Sequence, residues 1–82
     1  MSIRIHPHAQ ERMAERGASD DEIINTVTGG EKFPAKFGRM GFRRNFVFNN
    51  EWKGRWYSSK QVEVYAIEEQ GWLVVTVIVK YF

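Results

Sequence analysis

Residues 19–49, SDDEIINTVTGGEKFPAKFGRMGFRRNFVFN, contain the change of hydrophobic period that decides the fold. At the left end, Ser19-Asp20-Asp21-Glu22 is a capping box, in which serine and glutamate satisfy each other's free backbone N–H groups at a helix start. Ile23, Ile24 and Val27 form the apolar stripe that follows, and Gly29-Gly30 ends it. At the right end the period is two: Phe42, Arg44, Phe46 and Phe48 alternate with Arg43, Asn45, Val47 and Asn49. Successive side chains of a strand point to opposite faces, so this half of the stretch is sheet. Between them, residues 30–41 hold Pro34 and three glycines, Gly30, Gly38 and Gly41. This segment reads as a strand interrupted by a mobile loop.

Outward from this stretch, Ser2 to Ile5 reads as a short strand or extended lead-in. Pro7 suits the first turn of a helix, where its missing N–H costs nothing. That helix runs to about Arg16 and stops at Gly17, a residue at ease in the left-handed turn that ends helices. On the other side, Asn49-Asn50-Glu51 and Lys53-Gly54 predict a turn. A strand follows from about Arg55 to Glu68, bent or bulged near Ser58-Ser59, and Glu69-Gln70-Gly71 leads into another from Trp72 to Tyr81. That last strand is apolar on both faces, which predicts a central position or cover on both sides. The expectation is one α+β domain spanning residues 1–82, with two N-terminal helices as a hairpin on one face of an antiparallel sheet of three or four strands.

The chain is 82 residues long, 43% hydrophobic and 27% charged, too apolar for a disordered segment and too short for a second domain. It has no cysteine, so disulfide frameworks and thiolate-held zinc are excluded. The start, MSIRIHPHAQ, lacks the apolar core of a secretion signal. The longest apolar run, Leu73 to Val79, is broken by Thr76 and too short to cross a bilayer. A cytoplasmic location and no membrane partner are the expectations. Charge is uneven. Residues 1–30 have three basic and five acidic side chains, residues 31–60 eight and two, residues 61–82 one and three, for balances of −2, +6 and −2. The basic middle block interleaves Lys36, Arg39, Arg43, Arg44, Lys53, Arg55 and Lys60 with aromatic rings. Cations neutralise phosphates and rings stack on bases, so these seven are candidate RNA-binding residues. The alternative is that strand alternation simply puts rings in the core and cations in water.

The first helix carries the candidate chemistry. With Ala9 set to about 0°, Met13 falls at about 40°, Arg16 at about 340°, Arg12 at about 300° and His8 at about 260°. His8, Arg12 and Arg16 therefore share an arc beside a thin apolar stripe. Docking that stripe brings an arginine close to the core, where it needs a carboxylate or a phosphate. One solution is an internal ion pair with Glu15, Glu22 or Glu63. The other is an anion site with His8 moving protons and Arg12 and Arg16 holding a phosphate. Thr76, a hydroxyl in an apolar strand, is the fourth candidate, although threonine also fits strands for its shape alone. Lys60, Lys80 and Tyr81 lie near strand ends as supporting groups. His6-x-His8 lacks a third His or Cys, so no metal and no cofactor are expected. Gly38-Arg39-Met40-Gly41 matches a bare G-x-x-G, but a strand follows where a nucleic-acid clamp of that kind needs a helix. No phosphate-binding loop, serine elbow or dinucleotide fingerprint is present.

The run His8-x3-Arg12-Met13-x2-Arg16-Gly17-x-Ser19-x2-Glu22-Ile23, together with the closing Val74-Val75-Thr76-Val77, resembles the domain-of-unknown-function 4258 family. The family supplies no established catalytic residues. Its helix-then-sheet layout is similar to that of the RelE/ParE and barnase-like toxins, many of which cleave RNA without metal. Fold does not fix function. What the resemblance implies is a toxin-like, metal-independent ribonuclease with RNA and a cognate antitoxin-like protein as partners. The alternatives are a non-catalytic binding module for protein or nucleic acid, and a toxin fold that only assembles, using Phe33, Phe37 and Trp52.

Overall fold

The computed structural model describes residues 2–82. A short strand β1 (Ile3–Ile5) leads into helices α1 (Pro7–Arg16) and α2 (Asp20–Gly29). Four strands follow: β2 (Glu31–Pro34), β3 (Met40–Trp52), β4 (Arg55–Glu68) and β5 (Trp72–Tyr81). With β1 they form one five-stranded sheet in the order β1-β5-β4-β3-β2.

Local chemistry explains both helix boundaries. His6 caps α1, Pro7 occupies its first turn, and Gly17 closes it at φ 80° with its N–H donating to the Met13 carbonyl. The capping box on α2 is complete: Ser19 Oγ accepts from the Glu22 N–H at 3.2 Å and Glu22 Oε1 accepts from the Ser19 N–H at 2.9 Å. Ala9 and Met13 from α1, and Ile23 and Val27 from α2, meet Phe42, Val62, Val64, Trp72, Val74 and Val77 in one core. Both helices thus cover the same sheet face, as the thin stripe of α1 and the stripe of α2 required. No helix among the described residues is long and apolar enough to cross a membrane.

The sheet is larger than expected, and it is mixed. β1 pairs parallel with β5, Ile3 opposite Trp72 and Ile5 opposite Val74. Three residues have no readable period, and their partner lies at the far end of the chain, so local pattern did not expose this pairing. β2 pairs antiparallel with the first residues of β3, and the chain between them makes a tight turn at Lys36–Arg39. β3 extends through Asn49-Asn50-Glu51, which the sequence had suggested as turn. Asn49 lies in a bulge at φ 45°, and the hairpin turns at Lys53-Gly54, both at positive φ. That bulge falls opposite Ser58-Ser59. Of the two expectations for β5, a central position or cover on both faces, the first describes it better: it lies inside the sheet between β1 and β4, while helices cover one face only and Leu73, Thr76 and Ile78 on the other are half-buried.

Several rings of the basic block form a second small cluster. Trp52 stacks on Tyr81 with centroids 5.0 Å apart, and Phe48 and Tyr57 approach Tyr81 at 5.1 and 5.6 Å. The Tyr81 hydroxyl donates to the Arg16 carbonyl at 2.6 Å. Trp52 is therefore part of the packing at the end of α1, not a free interface ring.

Candidate functional site

β1 covers the edge of β5 only as far as Val74. There β5 bulges: Tyr65 faces Thr76 while Ala66 faces Val74, leaving Val75 as the extra residue. Bulges locally re-aim side chains. At the same point the chain leaves β1 and enters α1, with the His6 N–H donating to the Val74 carbonyl at 2.9 Å. His6 Nδ1 accepts from the His8 N–H at 3.1 Å, and the two imidazoles lie parallel with centroids 5.3 Å apart. An accepting Nδ1 places the proton of neutral His6 on Nε2, where it can donate.

His6, His8, Arg12, Val75 and Thr76, with Arg39 from the β2–β3 turn, line a groove of about 410 Å³. Arg12 donates to Glu15 at 3.1 Å, but both side chains are about half-exposed. An exposed pair of this kind contributes ~0–1 kcal/mol, so it holds Arg12 loosely and leaves it able to meet an anion. Arg39 has no carboxylate partner among the described residues. Nor do three or more His, Asp or Glu side chains gather into a metal-ligand set among them.

A second pocket of about 420 Å³ adjoins the first and shares Arg39 and Thr76 with it. Its walls are Phe33, Phe37, Lys36 and Tyr65, beneath the turn that leans over the open sheet face. Phe33 and Tyr65 meet edge to face at 6.1 Å. The Phe33 ring lies over Gly41, where any Cβ would collide with it. Burial raises the phenol pKa of Tyr65, and its donation to Glu63 at 3.0 Å raises it further.

The remaining candidates are placed elsewhere. Arg16 lies two turns along α1 from His8, about 12 Å on at 1.5 Å per residue. Its Nη1 donates to the Val77 carbonyl at 2.6 Å, so it ties α1 to β5 rather than lining the groove. Lys60 corrects the RNA-binding set. It is 4% exposed, donates to the Gly17 carbonyl and to Glu22 at 2.8 Å, and so joins the end of α1 to the start of α2. Arg43 donates to Glu31 and faces the buried Glu63; the Glu31 bond, first, and the two carboxylate charges raise its pKa. Lys80 is also drawn to Glu63, at 3.3 Å. Arg44 donates to the Asn25 carbonyl in the middle of α2. Lys53 and Arg55 flank the β3–β4 turn, over Trp52 and Tyr57, at the end of α1 remote from His8. The structure thus brings together His8, Arg12, Thr76, Arg39 and Lys36. In the sequence His6 stands out only as half of a possible metal pair, and Tyr65 carries no signal of a role. His6 meets His8 through a local hydrogen bond, whereas only the bulge and the overhanging turn, both tertiary features, bring Tyr65 into the adjoining pocket.

These features define an α+β domain with a helix hairpin on one face of a mixed sheet and a cationic groove where the short first strand ends. The family described as "Domain of unknown function (DUF4258)" matches residues 5–79, and the chain belongs to it. No curated protein and no solved structure matches the chain.

Proposed function

We propose that the groove at the β1–α1 junction binds the backbone of RNA and cleaves it without a metal ion. The observation that carries this reading is the convergence of two imidazoles and two arginines, one with no carboxylate partner among the described residues, on one open groove. Arg12 and Arg39 hold a phosphodiester and neutralise the charge that develops on its oxygens. His6 Nε2–H donates to the same phosphate. His8 takes the proton from the neighbouring 2′-hydroxyl. The 2′-oxygen then bonds to phosphorus as the bond from phosphorus to the 5′-oxygen breaks; that oxygen leaves with a proton from water, and the hydroxide so formed takes the proton back from His8. The products are a 2′,3′-cyclic phosphate and a 5′-hydroxyl.

The test is RNA cleavage by purified protein in EDTA, with end-group analysis. His8→Ala should lower the rate about 10²-fold or more, the usual scale for losing a general base. Arg12→Ala should weaken it strongly while circular dichroism stays native. Cleavage unchanged in folded His8→Ala refutes the role of His8. Folded wild type that binds RNA and never cuts it favours the non-catalytic binding module instead.

A further inference from the structure

Phe37 is 86% exposed and stands at φ 62°. An aromatic residue rarely adopts this left-handed conformation, and here burial does not compensate for it. The turn that imposes it is well bonded: the Arg39 N–H donates to the Lys36 carbonyl at 3.2 Å and the Ala35 N–H to the Arg39 carbonyl at 3.0 Å. Gly38 fills the other left-handed position with no such cost. The result is a ring held out at the rim of the 420 Å³ pocket, with the Arg39 guanidinium 6.0 Å over it. Inside, the Phe33–Tyr65 pair supplies aromatic walls. A ligand matched to this arrangement has a flat ring for the apolar pocket and an anionic group next to it for Arg39, which both pockets share.

We propose that the pocket beneath the β2–β3 turn takes the base of the nucleotide adjoining the phosphate held in the His8–Arg12 groove, with Phe37 stacking on that base. The inference rests on the RNA reading and deepens it. A base can enter only when it is unpaired and unstacked from its neighbour, so the substrate is a single strand, loop or end, not a duplex. Stacking is tolerant of base identity, because every base presents a π-face.

The probe is a short fluorescein-labelled 2′-O-methyl RNA strand, which binds but has no free 2′-hydroxyl to attack. It is titrated by anisotropy across a salt series. Phe37→Gly should weaken binding roughly 5- to 150-fold, the range for losing one base stack, with the salt slope unchanged. Phe37→Trp should restore it. Arg39→Gln should lower the salt slope by about one. The same strand annealed to its complement should bind more weakly than the single strand. Glycine is at ease at φ 62°, so Phe37→Gly should melt no earlier than wild type, and a binding loss is then not an unfolding effect. Wild-type affinity in Phe37→Gly, equal affinity for the duplex, or no binding of the strand at all would each overturn the proposal. The failures separate from those of the catalytic reading: a protein that shows the Phe37 effect without cutting RNA keeps the base subsite and loses the ribonuclease. Cleavage dependent on His8 but indifferent to Phe37 keeps the ribonuclease and loses the subsite.

Discussion

Replacing Lys60 by methionine removes the ammonium group but keeps most of the apolar stem. In the folded protein Lys60 is 4% exposed and its ammonium serves two acceptors, the Gly17 carbonyl at the end of α1 and Glu22 in the first turn of α2. Phe48 and Tyr81 lie 5.5 and 5.8 Å from it, so the site is walled by rings. Removing one partner of a fully buried pair costs ~3–5 kcal/mol. Glu22 retains 23% side-chain exposure and its bond to the Ser19 N–H, which lowers the expected cost. The Gly17 carbonyl loses a donor, which adds ~1 kcal/mol or more. Lys60→Met should therefore destabilise the domain by about 3 kcal/mol. That is a large share of the ~4–12 kcal/mol expected for a chain of this length, and it lowers the melting temperature by roughly 15 °C. Urea unfolding followed by tryptophan fluorescence reads the change directly. Glu22→Gln in the same background should cost less than it does in wild type, since the two side chains act as a pair. The refuting result is a Lys60→Met protein of near-native stability whose RNA affinity has fallen. Lys60 would then be a surface phosphate ligand, as its place in the basic block suggested.

Two further outcomes follow from the packing around the same sheet. Burial, then the charge of Glu22, raises the Tyr81 phenol pKa above 10.0, and burial does the same for Tyr65. The folded state holds these protons more tightly than the unfolded chain, so their contribution is complete below about pH 10 and is lost as pH rises through the raised folded values. Urea midpoints should fall as pH rises above about 10, and less steeply in Tyr81→Phe, although that variant starts ~1 kcal/mol lower for want of its bond to the Arg16 carbonyl. An equally steep fall in the variant would place the titrating group elsewhere. Gly41→Ala puts a methyl group into the Phe33 ring, so it should cost ~1–3 kcal/mol by overpacking and weaken binding of the 2′-O-methyl strand by displacing a pocket wall. Native stability with native binding would show that the ring swings aside freely.

Much of the site's raw material was readable in the helix, and its assembly was not. The wheel of α1 correctly put Arg16 nearest the apolar stripe, and for that reason Arg16 is drawn onto the β5 backbone. A wheel discards the axial coordinate, however, and the rise along α1 carries Arg16 away from His8. The basic block likewise gave its total charge without its division of labour. Arg43 and Lys60 answer carboxylates on other elements, Arg44 answers a helix carbonyl, and Arg39 alone reaches the His8 groove.

The sequence by itself determined what depends on neighbours a few residues apart. Capping at Ser19 and Glu22, termination at Gly17, the alternation from Phe42 to Phe48 and the strands flanking Gln70-Gly71 all express local backbone chemistry, and each is present in the fold. Tertiary structure alone decided that Ile3–Ile5 pairs with the opposite end of the chain, that β5 bulges at Val75, and that the Lys36–Arg39 turn leans over Tyr65 and Thr76. The physical reason is that these choices are settled by which distant surfaces bury each other best. A three-residue strand or a five-residue connection carries too few side chains to state that preference in its own pattern.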